Sequence, residues 1–124
     1  NHMSQTPLIS NAVNEQDQEL IDRATAIIRK YFDDIDFDMN VLASELGIGR
    51  SKLYLRIKEI TGLTPNELTL KIKLEEAMYL LNNQPNLNIS EISYQLGFSS
   101  PRYFSKCFKS FYGVSPQNCR KGVN

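Results

Sequence analysis

LGFSSPRYFSKCFKSFYGVSP, from Leu96 to Pro116, is written a second time in altered form as LGIGRSKLYLRIKEITGLTP, from Leu46 to Pro65. Laid on itself, the chain repeats at an offset of 50 to 51 residues. The agreement starts upstream: Phe37-Asp38-Met39 answers Leu87-Asn88-Ile89, and Leu42 answers Ile92. One extra residue then enters the second copy. After it, Leu53, Ile57, Lys58, Gly62, Thr64 and Pro65 answer Phe104, Phe108, Lys109, Gly113, Ser115 and Pro116. Apolar spacing and glycine and proline punctuation agree together, which marks a duplicated structural unit rather than a chance likeness.

Each copy reads as a short helix, a glycine turn and a second helix. Asp38 is placed to cap the first helix of copy one, with Phe37 and Leu42 at the positions of a hydrophobic staple. In copy two Asn88 and Glu91 make a capping-box pattern and Leu87 staples to Ile92. The first helices end at Leu46-Gly47 and Leu96-Gly97, where glycine takes the left-handed conformation that turns the chain sharply. Second helices follow over about 50–61 and 101–112, each closed by a glycine. Two helices joined by a short turn containing glycine are the helix-turn-helix signature.

Outward from the repeat, Leu20, Ile21, Ala24, Ile27, Ile28, Tyr31 and Phe32 recur at spacings of three and four, which predicts an amphipathic helix capped by Asn14. The run Asp33-Asp34-Ile35-Asp36 stops it. Between the copies, Thr64-Pro65-Asn66-Glu67 opens a helix to about Asn82, with Leu68, Ile72, Leu74, Ala77, Met78 and Leu81 as its apolar residues. Eighteen residues at 1.5 Å each make a rigid spacer of roughly 27 Å. Ser115-Pro116 starts a last short helix. No strand-like alternation of useful length occurs. The expected fold is all-α: about seven helices in two helix-turn-helix subdomains joined by a long linker helix. The expected division is 1–13 tag remnant and linker, 14–63 first subdomain, 64–83 linker helix and 84–124 second subdomain.

Composition removes several functions. In 124 residues there is one histidine, His2, and two cysteines, Cys107 and Cys119, too few for a tetrahedral zinc site or a Cys-His or Ser-His-Asp nucleophile. The six glycines form no phosphate loop. Neither an enzyme nor a cofactor is expected, and the cysteines read as free buried thiols of a cytoplasmic protein. No apolar run approaches the roughly 20 residues that cross a bilayer. Net charge is zero but uneven: residues 1–40 hold three basic against eight acidic side chains, and residues 41–124 hold eleven basic against six acidic. Such asymmetry directs the C-terminal part toward a polyanion.

A helix-turn-helix is also a common packing motif, so its exposed faces must carry any function. In copy one the apolar face is Leu53, Ile57 and Ile60, leaving Arg50, Ser51, Lys52, Tyr54, Leu55, Arg56 and Lys58 on other faces. Leu55 either packs on the linker helix or meets a thymine methyl in a groove. In copy two the expected core face is Phe104, Phe108 and Phe111. Ser100, Arg102, Ser105, Lys106 and Lys109 are then available to phosphate oxygens and guanine edges. Lys58 and Lys109 occupy equivalent places, which suits generic backbone contact. The candidate DNA-binding set is Arg50, Ser51, Lys52, Tyr54, Leu55, Lys58, Ser100, Arg102, Ser105, Lys106 and Lys109. Helix N-termini near Asp38, Asn88 and Ser115 are expected to hold phosphates. The rival reading is a helical interaction module whose basic face binds an acidic protein.

The segment Leu96 to Pro116, with KIKLEEAMYLLNN (Lys71 to Asn83) and ISEISYQLGF (Ile89 to Phe98), closely resembles the DNA-binding domain of AraC/XylS-family bacterial transcription regulators. The resemblance covers about residues 15–121. It implies two recognition helices entering successive major grooves on one face of the duplex, with Ser51, Lys52, Tyr54 and Leu55 reading first and Ser100, Arg102, Ser105 and Lys106 second. Where the family usually carries glutamate and tyrosine in the final helix, this chain has Asn118 and Cys119. The implied partners are double-stranded promoter or operator DNA, RNA polymerase, and N-terminal sensory or signalling domains, without membrane contact by this part. RSKLYLRIKEITGLTPNE, Arg50 to Glu67, looks most like the C-terminal output domain of a hybrid two-component regulator.

Overall fold

The computed structural model describes residues 14–122; the expected tag remnant and linker at 1–13, with His2, lie outside them. Seven helices and no strand occur among the described residues: α1 (Glu15–Lys30), α2 (Met39–Leu46), α3 (Arg50–Thr61), α4 (Pro65–Asn83), α5 (Ile89–Gln95), α6 (Pro101–Tyr112) and α7 (Pro116–Lys121). The expected caps are in place. Asn14 Oδ1 accepts from Asp17 N–H at 2.8 Å, and Asp38 Oδ1 accepts from Val41 N–H at 3.1 Å. Thr64 and Glu67 exchange bonds of 3.1 and 2.9 Å, and Asn88 and Glu91 bonds of 2.8 and 2.9 Å. Each satisfies first-turn amides that a helix leaves without partners.

The duplication is visible in the turns. Gly47 N–H bonds Ser44 O and Ile48 N–H bonds Ala43 O, while Gly97 N–H bonds Tyr94 O and Phe98 N–H bonds Ser93 O, all at 3.1 Å. Gly47 and Gly97 both stand in the left-handed region, at φ 72° and 75°. The second helices close alike, with Gly62 and Gly113 donating to Lys58 O and Lys109 O.

The chain divides into two packed units. The first comprises, of the described residues, α1 with residues 37–69; the second comprises Tyr31–Asp36 with 70–122. α4 is therefore more than a spacer. Its opening turn belongs to the first unit, while Leu74, Ala77 and Leu81 are buried in the core of the second. In the first unit Ile21, Ala24 and Ile28 of α1 are buried, as are Leu42 and Leu46 of α2 and Leu53, Ile57 and Ile60 of α3. α1 ends at Lys30, so Tyr31 and Phe32 do not extend its stripe but join the second unit.

The second unit has an aromatic core. Phe98, Phe104, Phe108 and Tyr112 follow one another at ring-centre distances of 5.1, 5.8 and 4.7 Å in tilted pairs, an arrangement that suits the ring quadrupoles. Tyr112 Oη donates to Leu74 O at 3.2 Å, and burial pushes the phenol up to about 12. α7 forms despite its unusual residues: Ser115 Oγ accepts from Asn118 N–H at 3.1 Å, and Cys119 packs against the core with Sγ 3.6 Å from Met78 Sδ. Both cysteines are free, as expected, but half-buried rather than buried.

One position breaks the repeat at a cost. Ser93 is fully buried where copy one has Ala43, and its hydroxyl has no hydrogen-bond partner. A buried, unsatisfied hydroxyl is unfavourable by roughly 1–3 kcal/mol. Ser93→Ala should therefore raise stability by about 1 kcal/mol in denaturant unfolding; a loss of stability would show that the hydroxyl is satisfied in solution.

Candidate nucleic-acid interface

The two second helices, α3 and α6, carry the candidate residues. Leu53 and Ile57 turn one face of α3 into the first core, which leaves Arg50, Ser51, Lys52, Tyr54, Leu55 and Lys58 exposed. Leu55 is 61% exposed and Tyr54 42%, so neither is a core residue. Together with Met39, Arg50 and Ser51, these two border an open groove of about 540 Å³. Large apolar side chains exposed beside cations are costly in water and suit a surface that meets a partner.

α3 also breaks a local rule. Gly49 caps it without a side-chain hydrogen bond, and its first turn holds Arg50 and Lys52 with no acidic residue. Cations there oppose the helix dipole at a typical cost of 0.3–1 kcal/mol each. Locally unfavourable choices of this kind concentrate at functional faces.

On α6, Phe104 and Phe108 are fully buried and Arg102, Lys106 and Lys109 are exposed. Two residues differ from expectation. Phe111 was expected in the core face, but it is 46% exposed. Tyr112 takes the inward place at the end of α6, with the Phe111 ring edge-on against it at 4.8 Å. Ser105 is half-buried, and Ser100 is the N-cap of α6, its Oγ accepting from Tyr103 N–H at 3.1 Å. Ser100 thus keeps its hydroxyl proton and one lone pair for a further partner.

Several of the basic side chains turn inward. Arg56 pairs with Asp17 of α1 and with Glu59, the latter at 2.8 Å. These pairs raise its pKa, the Glu59 hydrogen bond most. Arg120 spans the exit of α4, donating Nε to Leu81 O at 3.3 Å, Nη2 to Gln84 O at 3.1 Å and Nη1 to Leu87 O. Leu81 lies in the last turn of α4, which has no basic residue of its own, and Gln84 and Leu87 lie in the segment that follows it. Lys71 pairs with Glu75 at 2.8 Å. Lys73 lies 5.7 Å from the Phe98 ring centre, and burial lowers its pKa.

The phosphate sites expected at helix N-termini are largely occupied. Asp38 sets its own carboxylate at the start of α2, and Glu91 does so at α5. Both oppose a second anion; the neutral Ser115 cap of α7 does not. Two features escaped the sequence reading. Asn40 of α2 holds Arg50, its Oδ1 accepting from Nη1 at 3.0 Å, and Tyr103 is exposed on α6 beside Arg102. The first rests on a contact between helices with no sequence signal, while the second sits at the repeat place of Lys52.

Two units, each a short helix turned sharply into a second helix with a cationic exposed face, define a helix-turn-helix DNA-binding domain. A family model described as a helix-turn-helix domain matches residues 42–122. The chain belongs to that family, in the AraC-type form found in transcription regulators. It is 39% identical over 104 residues to histidine kinase P4 of Formosa agariphila, covering 84% of this chain and 8% of that protein. It is 40% identical over 85 residues to the Msm operon regulatory protein of Streptococcus mutans, covering 68% of this chain and 30% of that one. Among solved structures it is similar to the C-terminal domain of AraT, a response regulator from Geobacillus stearothermophilus, with TM-score 0.75 and 33% identity over 83% of this chain and 84% of that one. The chain spans less than a third of the length of these two curated relatives. No helix among the described residues is long and apolar enough to cross a membrane.

Proposed function

We propose that this domain is the output end of a larger bacterial two-component regulator acting in the cytoplasm, with α3 and α6 reading two adjacent major grooves of a promoter or operator duplex. The observation that carries the DNA-reading part is the pair of matched helix faces: Arg50, Lys52 and Lys58 exposed over Leu53 and Ile57, and Arg102, Lys106 and Lys109 exposed over Phe104 and Phe108. Phosphates fix position on the duplex and base edges supply sequence. Likeness to a histidine kinase and to a response-regulator domain supports the two-component setting, in which upstream sensory or signalling domains control access to DNA and the bound domain meets RNA polymerase.

Residue roles divide within α6. Arg102 and Lys106 lie one turn apart on the exposed face and reach base edges, with Ser105 beside them. Lys109 recurs as Lys58, each at the last turn of its helix, and holds a phosphate. On α3, Ser51, Lys52, Tyr54 and Leu55 read bases while Arg50 and Lys58 supply charge; Ser100 donates its hydroxyl proton.

Affinities of two variants for a selected duplex and for a scrambled one test this assignment. Lys106→Ala should weaken the selected site by about 1–3 kcal/mol and relax base choice there. Lys109→Ala should weaken both duplexes by a similar factor and lower the salt slope by about one. Both variants should unfold like the parent, since neither side chain is buried. Equal weakening of both duplexes by Lys106→Ala would make Lys106 a phosphate contact and remove it from the reading set.

A further inference from the structure

Arg50 is tethered to α2. Its Nη1 donates to Asn40 Oδ1 at 3.0 Å, and Asn40 Nδ2 donates in turn to Asp38 Oδ2 at 3.4 Å. Asp38 is itself fixed, since its other carboxylate oxygen accepts from Val41 N–H at 3.1 Å. All three side chains are exposed, and polar contacts on an open surface add little to stability. The Asp38 bond to Val41 caps α2, but the fold of the first unit does not require the two bonds that Asn40 makes, and their consequence is directional.

The chemistry of the tether fits that role. A neutral amide oxygen takes one of the five guanidinium N–H groups and leaves the charge and the remaining donors unspent. A carboxylate at position 40 would hold the arginine more firmly but cancel its charge. Arg50 borders the groove shared with Met39, Ser51, Tyr54 and Leu55, so the tether keeps a cation beside an otherwise largely apolar opening. The second unit has no counterpart, because Ser90 and Pro101 stand at the equivalent places.

We propose that Asn40 is a positioning residue, which pre-orients the Arg50 guanidinium beside the α3 groove for its contact with duplex DNA. The proposal rests on the reading of α3 as a DNA-facing helix. An untethered arginine loses rotamer freedom on binding, and prior orientation reduces that loss. Asn40 itself touches no DNA in this scheme and acts only through Arg50.

A double-mutant cycle separates this from a general effect on structure. Affinity for the selected duplex is measured for the parent chain, Asn40→Ala, Arg50→Ala and the double variant, with thermal unfolding of each. Arg50→Ala should weaken binding about tenfold or more. Asn40→Ala should weaken it about three- to tenfold with unfolding unchanged, and should add no further loss once Arg50 is alanine. Asn40→Asp should bind more weakly than Asn40→Ala, because a carboxylate neutralises the guanidinium. An equal loss from Asn40→Ala in both backgrounds, or no loss in either, overturns the proposal. If Arg50→Ala leaves affinity unchanged, Arg50 is no DNA contact and the reading of α3 falls together with the tether.

Discussion

Affinity for a preferred duplex should drop about a thousandfold between 50 and 200 mM salt, for a log–log slope near −5. The charge count behind this value comes from the structure. Residues 41–124 hold eleven basic side chains, which by themselves admit a range of slopes. Arg56, Arg120, Lys71 and Lys73 are engaged within the units. Seven exposed cations then remain, of which Lys121 lies on α7 and six lie on the two reading helices: Arg50, Lys52, Lys58, Arg102, Lys106 and Lys109. Each neutralised phosphate releases condensed counterion and contributes about −0.9 to the slope. Equilibrium binding titrated at several salt concentrations gives the value. Tight binding with a slope near zero would remove the DNA reading, and a slope near −9 would mean that the inward-turned cations are also engaged by DNA.

A second large effect is expected from a pair of glycines that the repeat makes equivalent. Gly47 and Gly97 have nearly the same left-handed conformation, so alanine at either is strained by about 1–2 kcal/mol. Their surroundings differ. A Cβ at Gly47 would meet nothing within 4 Å, whereas at Gly97 it would lie 2.4 Å from the backbone oxygen of Phe32 and 3.3 Å from Lys73 Nζ. The oxygen belongs to a backbone segment packed in the second unit and cannot be relieved by a side-chain rotation. Overpacking of this kind adds about 1–3 kcal/mol. Gly97→Ala should thus cost about 2–5 kcal/mol and Gly47→Ala only about 1–2 kcal/mol. Chemical denaturation of both variants measures the difference, and equal losses would show that the chain from Tyr31 to Asp36 does not rest against the turn in solution.

The two predictions draw on different levels of information, as does the candidate interface. Helix existence, order and caps were legible because they depend on neighbours in sequence: Asp38, Thr64, Asn88 and Ser115 bond amides three residues away. The exposed positions of α3 and α6 followed from helical periodicity once Leu53, Ile57, Phe104 and Phe108 were given to the core. Phe111 departed from that reading because a late position on α6 can turn either way, and Tyr112 filled the inward place with a ring and a hydroxyl that bonds α4.

The sequence by itself determined the seven helices, the duplicated helix-turn-helix and the family, since periodicity, capping and punctuation are local properties repeated twice at one offset. Tertiary structure alone decided which cations face outward, because Arg56 and Arg120 find partners 39 and 33 to 39 residues away. It also decided that Tyr31–Asp36 packs in the second unit, that α4 forms part of that unit's core, and that Asn40 holds Arg50 across a turn. Composition and spacing carry no record of such pairings, which arise only when the buried faces of different helices fix where their polar edges meet.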